Sequence, residues 1–411
     1  MRVALVGPAH PYKGGGAQHT TELAHRLAAA GHDVIIESWR AQYPRRLYPG
    51  QQTLDAREGE PYPRTCYRLR WYRPDNWIAA GRRLRSADLV IFALLTPLQV
   101  PSYLAMLAGL RLRPGRKRAL PRTVVICHNV LPHERRPGDV ALTRALLRRA
   151  DMAVVHSAGQ AAEARDLAPG VQVVVAPMPP HLPAFADHGP AQPKNRSIAP
   201  LIAVIPGFAV QTVHDNPPDQ PPSPDPPPKN GNIPDKTGER QCRLLFFGIV
   251  RPYKGLDVLL RAMARAPSHV ALTVAGEFWG GTGEIEKLIA ELGLGNRVTL
   301  RPGYVPAGQI PALFQSADAL VLPYRQATAS QNVLLAFAYG VPVIATTAGA
   351  LAEAVRDGVD GLTCAPGDTD DLARALEAIS VPETARRLRS GVRALDPEPL
   401  WAAYLRALLP G

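Results

Sequence analysis

Twice along this chain, short apolar runs alternate with helix-length stretches, and a segment unfit for any core separates the two series. The first series opens with the apolar run Arg2–Gly7, then a loop holding Gly14-Gly15-Gly16. A helical stretch over Thr20–Ala30 follows, with Leu23 and Leu27 on one face, and Asp33–Glu37 is the next run. This is a β–α–β opening. Further strands are expected at Leu89–Leu94, Val124–Cys127 and Met152–Val155, with helical stretches at Ala145–Arg149 and Ala158–Asp166. The second series starts at Arg243–Gly248. Its later strands are expected at Val270–Ala275, Arg297–Leu300, Ala319–Leu322, Val341–Ala345 and Gly361–Thr363. Helices fit between them at Leu256–Ala266, Glu284–Leu292, Ile310–Ser316, Ala329–Tyr339, Ala350–Val355 and Asp368–Ser380, and a last amphipathic one at Pro399–Leu409. Strict alternation implies parallel sheets covered by helices. The fold class is therefore α/β, with two doubly wound parallel-sheet domains. Such sheets bind ligands at their C-terminal edges, and two of them create a cleft between those edges.

The separating segment sets the domain limits. From Pro217 to Pro234 there are nine prolines, with Asp, Asn and Lys among them and almost no apolar residue. Proline removes backbone donors, and this composition buries nothing, so a disordered or polyproline II linker is expected over 185–240. Residues 1–184 then form one domain and 241–398 the other, with a terminal helix over 399–411. Within the linker, Ile198–Val213 is apolar but interrupted by Pro200, Pro206 and Gly207, which favours a hairpin or edge strand over a membrane span. No run of 18 apolar residues occurs anywhere, and Met1–Gly7 reads as a strand rather than a signal peptide. Cys66, Cys127, Cys242 and Cys364 stand alone, without CxxC or Cys/His spacing. Free thiols in a reducing cytoplasm are expected.

The net charge of +12 is confined to one half. Residues 1–180 hold 26 Lys and Arg against 13 Asp and Glu, while 181–411 hold 21 against 22. The clusters fall at Arg40–Arg46, Arg64–Arg73, Arg82–Arg85 and Arg111–Arg118. Four readings stay open: an arginine-rich surface reflecting base composition, nucleic acid, an anionic membrane surface, or an acidic acceptor. No nucleic-acid motif accompanies the charge, so no nucleic-acid partner is expected.

The second series begins with a distinctive turn, Phe246-Phe247-Gly248-Ile249-Val250-Arg251-Pro252-Tyr253-Lys254-Gly255. It places cations and free backbone N–H groups at a strand end, where the following helix adds partial positive charge, and that suits a diphosphate. Lys254 is the leading candidate and Arg251 the second. Gly14, Gly15 and Gly16 allow close approach of a ligand to the backbone, and Lys13 adds charge there. His128, in Val124-Val125-Ile126-Cys127-His128-Asn129, ends an apolar strand and points toward the cleft, where a neutral imidazole can bond a ligand hydroxyl or steady developing charge. His133 and Glu134 lie just beyond. Their spacing is not the helical i, i+4 of a metal pair, and no metal is expected.

These residues, with Tyr339-Gly340-Val341-Pro342-Val343-Ile344-Ala345-Thr346, make Leu244–Leu362 resemble the nucleotide-sugar domain of retaining, family-four-type glycosyltransferases of the GT-B fold, the group 1 glycosyl transferases. Met1–Ser157 resembles their first domain more loosely. The resemblance implies two Rossmann-like domains, with a final helix crossing back to the first. It implies that Lys254 and Arg251 hold the donor diphosphate, although Ile249 stands where the family usually has its arginine. It implies that Gly14–Gly16 close over the donor, that His19, within Gly14-Gly15-x-x-x-His19, and His133 lie on the acceptor side, and that His128 is catalytic, near the transferred sugar. The family usually carries two glutamates eight positions apart before Gly340; Ala327 and Leu335 occupy those positions here. Thr328, Ser330, Gln331 and Asn332 are candidates to replace the first through hydroxyls and amides. Glu277 is a distant candidate for the second, and Glu353 is read as capping its own helix. The implied activity is transfer from a nucleotide-diphosphate sugar to a glycan, glycolipid or lipid-linked acceptor, with no other cofactor, by a cytoplasmic protein at the inner face of the membrane. The alternatives are a GT-B scaffold without catalysis, acting as a binding or partner subunit, and a GT-B enzyme of other chemistry such as a sugar-nucleotide epimerase.

Overall fold

A computed structural model describes residues 1–43, 52–54, 60–112, 119–132, 134–181, 240–327, 330–393 and 395–409. The proline-rich stretch, Ile198–Val213, His133 and Thr328 lie outside the described residues.

The first half runs β1 (Arg2–Val6), α1 (Gly15–Ala29), β2 (Asp33–Ala41), β3 (Thr65–Arg70), α2 (Pro74–Leu84), β4 (Leu89–Leu94), α3 (Val100–Arg111), β5 (Arg122–Cys127), α4 (Asp139–Leu147), β6 (Met152–Val155), α5 (Ala158–Leu167) and β7 (Gln172–Val175). Its seven strands are ordered β3-β2-β1-β4-β5-β6-β7, all parallel. The order reverses between β1 and β4, so the crevice of a doubly wound sheet opens at the end of β1, where the glycine loop lies. Alternation along each strand feeds two cores. Ala4, Val6, Phe92 and Val125 face α2 to α5, while Val3, Leu5, Ile91 and Val124 face α1.

The second half runs β8 (Cys242–Phe247), α6 (Leu256–Met263), β9 (Val270–Gly276), α7 (Gly283–Glu291), β10 (Val298–Pro302), α8 (Ile310–Gln315), β11 (Ala319–Leu322), α9 (Gln331–Ala338), β12 (Val343–Thr346), α10 (Leu351–Ala354), β13 (Gly361–Cys364), α11 (Thr369–Ser380), α12 (Pro382–Gly391) and α13 (Pro397–Leu408). The six strands are ordered β10-β9-β8-β11-β12-β13, again all parallel. Helices α6, α7, α11 and α12 cover one face, and α8 to α10 the other.

Helix α13 belongs to the core of the first half. Asp396 caps its start by accepting from the Glu398 amide, and Pro397 suits the first turn. Trp401, Tyr404 and Leu408 are buried against the face of the first sheet that α1 covers. The Trp401 indole donates to the Pro180 carbonyl at 2.9 Å, and Arg26 of α1 binds Glu398 through both carboxylate oxygens at 2.6 Å.

The structure departs from the sequence expectations at edges and ends. β3 and β7 were not expected. β3 carries arginines at alternate positions and β7 is short and half-exposed, so neither shows a strong apolar run. Helix α4 begins at Asp139, six residues before the expected stretch, because Gly138 in the left-handed region starts it. Helix α12 is too polar to stand out, with Leu388 its one fully buried residue. All four cysteines are free; burial pushes the Cys127, Cys242 and Cys364 thiols up to about 12. Among the described residues no helix is long and apolar enough to cross a membrane.

Trp401→Ala removes a side chain 1% exposed that joins the chain end to the first sheet. It is expected to cost about 3–5 kcal/mol. Denaturant unfolding followed by hydrogen exchange should show the loss in the first domain. Loss confined to the second domain would refute this account of α13.

Candidate active site in the interdomain cleft

The turn after β8 is held by backbone geometry. Pro252–Lys254 form a single 3₁₀ turn, and Gly255, at φ 67°, both ends that turn and starts α6. A Cβ at Gly255 would collide with the Pro323 carbonyl, so no other residue fits. Arg325 braces the outside. It binds Asp257 with both arms, at 2.8 and 2.6 Å, and the Pro252 carbonyl at 2.8 Å, while its own amide donates to Tyr253. Against the raising effect of burial, the Arg325 guanidinium holds the Asp257 carboxyl below its usual range. Arg325 and Asp257 were missed in the sequence, where 68 positions separate them without a shared motif.

Lys254 is thereby aimed across the strand ends. Its ammonium lies 5.1 Å from the Tyr324 ring centre and 3.5 Å from where a Cβ on Gly248 would sit. Arg251 stacks over Trp279 at 4.6 Å and forms an ion pair with Glu134 of the first half. Trp279 was also missed. It lies in an irregular loop after β9, and sequence periodicity gives loop residues no direction. A cavity of about 390 Å³ opens between the halves, and Thr96, Asn129, Glu134, Arg251, Lys254 and Trp279 all line it.

The glycine loop of the first half also reaches the second half, through Lys13. Gly14, at φ 97°, caps α1 and its carbonyl accepts from Ala17 and Gln18. Lys13, almost wholly buried, reaches Glu277 of the second half at 3.6 Å and the Tyr304 ring at 4.3 Å. Glu277 is therefore occupied by the loop lysine. The positive ends of α1 and α6 both open at the edges that face the cleft.

The polar replacement set is only partly available. Leu335 is fully buried in the core of the second half, and Ala327 packs against that core. Asn332 donates to the Phe247 carbonyl at 2.8 Å, which ties α9 to β8. Gln331 donates to the Met178 carbonyl of the first half at 3.3 Å, while its own buried carbonyl oxygen has no partner. Ser330 precedes α9 without capping it. Glu353 lies exposed in the first turn of α10 and makes no cap bond there.

Behind the cleft lies a cluster of four imidazoles that the sequence did not reveal. His19 was expected on the acceptor side. It is instead fully buried, 5.1 Å from His128, 5.1 Å from His181 and 6.4 Å from His156 between ring centres. Trp401 stacks on it at 5.9 Å, and Tyr404 meets it edge-on. His156 Nδ1 pairs with the Ala176 carbonyl, and His181 Nδ1 with the Pro179 carbonyl, each at 3.0 Å. Among the described residues, both nitrogens of His19, and Nε2 of His128, His156 and His181, lack a partner. Burial, then mutual repulsion, drives the His19 and His128 pKa values far below the usual value. Burial alone dominates at His156 and His181, lowering both to about 4. His128 is thus a neutral imidazole at neutral pH, next to the cleft-lining Asn129. Among the described residues no group of three His, Cys, Asp or Glu is arranged to hold a metal ion.

Comparison with known proteins agrees with this architecture. Residues 13–179 match the family model of Glycosyltransferase Family 4, and residues 241–380 match that of Glycosyl transferases group 1. Each half thus carries one glycosyltransferase family domain. It is 32% identical over 153 residues to the D-inositol 3-phosphate glycosyltransferase of Mycobacterium sp. (strain KMS), covering 36% of this chain and 35% of that protein. It is 35% identical over 159 residues to the enzyme of the same name from Nocardia farcinica (strain IFM 10152), with the same coverage of 36% and 35%. The chain thus spans about a third of the length of these curated relatives. Among solved structures, sucrose-phosphate synthase (tll1590) from Thermosynechococcus elongatus superposes with a TM-score of 0.68 at 19% identity, over 98% of this chain and 97% of that one. Anabaena Alr3699/HepE in complex with UDP superposes at 0.66 and 16% identity, over 99% of both. The fold is GT-B.

The imidazole cluster makes stability depend on pH. An unfolded histidine titrates near 6.5, whereas His156 and His181 are held at about 4. Between these values the unfolded chain takes up protons that the native chain does not. The stability is complete above about 6.5 and declines as pH falls toward about 4. Scanning calorimetry should show Tm falling over that window, with a shallower slope in His181→Gln. An unchanged slope in that variant would contradict the assignment.

Proposed function

We propose that this protein transfers a glycosyl group from a nucleotide-diphosphate sugar to a glycan, glycolipid or lipid-linked acceptor, with retention of anomeric configuration. One observation carries the reading: the turn between β8 and α6 presents Arg251 and Lys254, at the N-terminus of α6, to the cavity between the halves. Relatives named for a D-inositol 3-phosphate acceptor and a structural neighbour holding UDP support a nucleotide donor and a polar acceptor.

The chemistry follows from the charges. Departure of the nucleoside diphosphate builds negative charge at its terminal phosphate, and Lys254 with the α6 N-terminus stabilises it where it develops. Arg251 adds to this by exchanging Glu134 for a phosphate oxygen. The departing phosphate takes the acceptor hydroxyl proton, so no protein carboxylate is needed for that step. Neutral His128 bonds a sugar hydroxyl without competing for the proton. Gln331, with its unpartnered oxygen, is the best placed of the polar set to accept from the donor.

A second reading has its own observation. Leu335 is sealed in the core, so nothing at that position can bind a ribose, which favours a binding scaffold without turnover. The two readings separate in one screen of UDP-, GDP-, ADP- and TDP-sugars. The expected result is selective thermal stabilisation with release of nucleoside diphosphate. Lys254→Ala should weaken binding roughly tenfold or more. Stabilisation without release would select the scaffold, and stabilisation unaffected by Lys254→Ala would overturn the site.

Glu134→Gln tests the exchange at Arg251. Both partners are partly exposed, so the pair contributes about 0–1 kcal/mol. The variant should bind donor up to about fivefold more tightly, read by titration calorimetry. Weaker binding would mean that Glu134 contacts the ligand itself.

A further inference from the structure

We infer that the first domain carries a second anion site, remote from Lys254, that takes a phosphate group of the acceptor. It is a cavity of about 290 Å³ lined by Arg40, Tyr67, Arg68, Arg70, Arg73 and Asn76. The inference rests on the transferase reading only in calling the ligand an acceptor.

Local structure gathers these side chains. Arg68 and Arg70 are two apart on β3, so they leave the same face of the strand, while Leu69 between them is fully buried. On β2 the register with β3 shifts twice, between Ser38 and Trp39 and again between Trp39 and Ala41. Arg40 lies within that irregularity, the kind of bulge that re-aims a side chain. Arg73 precedes α2, and Asn76 lies in its first turn, so the positive end of an 11-residue helix adds to the field.

Among the described residues most of this charge is unpaired. Among the described residues one carboxylate pairs with a lining arginine: Asp75 holds Arg73 at 2.9 and 2.8 Å. The guanidinium groups of Arg40, Arg68 and Arg70 have no ion pair among the described residues. The buried Asn76 side-chain oxygen has no partner among the described residues, and the same amide turned over offers N–H donors instead. Unpaired guanidinium groups repel one another until an anion arrives, and their planar forks match the oxygens of a phosphate.

The site faces the reaction. It forms at the C-terminal ends of β2 and β3, the edge where β1 delivers the glycine loop. The Tyr67 hydroxyl donates to the His10 carbonyl, which joins the site to the segment leading into that loop. A phosphate held here would leave the rest of the acceptor free to extend toward the cleft. Trp71 and Tyr72 stand exposed beside it, at 42% and 51%, with rings 5.5 Å apart. Aromatic residues beside cations also suit a phospholipid headgroup at a membrane surface. The phosphate thus has two sources, a soluble phosphorylated acceptor or a lipid.

The test measures binding directly, on the full chain, without transfer. Glycerol 1-phosphate is titrated by calorimetry. Sedimentation is measured with phosphatidylcholine vesicles containing or lacking phosphatidylglycerol, at low and high salt. Arg68→Gln/Arg70→Gln is compared with wild type and with Lys254→Ala. Saturable binding of glycerol 1-phosphate, weakened roughly tenfold or more in the double variant and retained in Lys254→Ala, establishes a soluble ligand. Sedimentation with the anionic vesicles alone, lost in the double variant, establishes a lipid. Arg40→Gln should lower either signal independently, and unchanged thermal unfolding in both variants confirms folding. Binding equal to wild type in the double variant, or no binding of either ligand by wild type, overturns the site. Donor binding measured on the same samples reports the cleft separately, so failure here leaves the Lys254 reading intact.

Discussion

Burial of α13 against the first sheet is the contact on which the rest of the molecule depends. One face of that sheet is completed by Trp401, Tyr404 and Leu408, residues separated in sequence from every strand they cover. Without them His19, His156, Ile126 and Val154 would face water. The first domain therefore cannot close its core until the second domain has been passed through. The same contact brings the end of the chain back to its beginning, through Arg26 and Glu398.

That closure is also what keeps His19, His156 and His181 dry. Trp401 and Tyr404 seal the cluster from behind, while the glycine loop and β5 seal it from the front. Removing water is what favours the neutral form of each ring. In the proposed reaction a positively charged His128 would compete with Lys254 and Arg251 for phosphate, whereas a neutral one would contribute hydrogen bonding without charge. The packing of a terminal helix thus sets the protonation state of a residue at the cleft, with no direct contact to any ligand.

Across the cleft, ion pairs join the two halves. Arg251 binds Glu134 and Lys13 binds Glu277, so two cations besides Lys254 are held by carboxylates of the opposite half. Such pairs are individually weak where water reaches them, and a diphosphate can compete for the partly exposed Arg251. Lys13, by contrast, is nearly buried, and it ties the glycine loop to the end of β9. The loop position and the separation of the halves are in that way linked.

The sequence by itself determined the fold class and the central strands. Leu89–Leu94, Met152–Val155 and Ala319–Leu322 coincide in expectation and structure, because a buried strand must be apolar throughout. It also determined the Lys254 turn, since the requirement for glycine at a left-handed position is local. Edge strands β3 and β7 and helix α12 were hidden because partial exposure relaxes the apolar pattern. What only the tertiary structure decided are the meetings between distant residues. His19 lies inside rather than on the acceptor side, Arg325 braces a turn 68 positions away from it through Asp257, Glu277 pairs with Lys13, and arginines of β2 and β3 line one cavity with Arg73 and Asn76 at the start of α2. Periodicity encodes which face of an element is buried, but not which other element covers it. That choice belongs to strand order and helix packing, which no local pattern records.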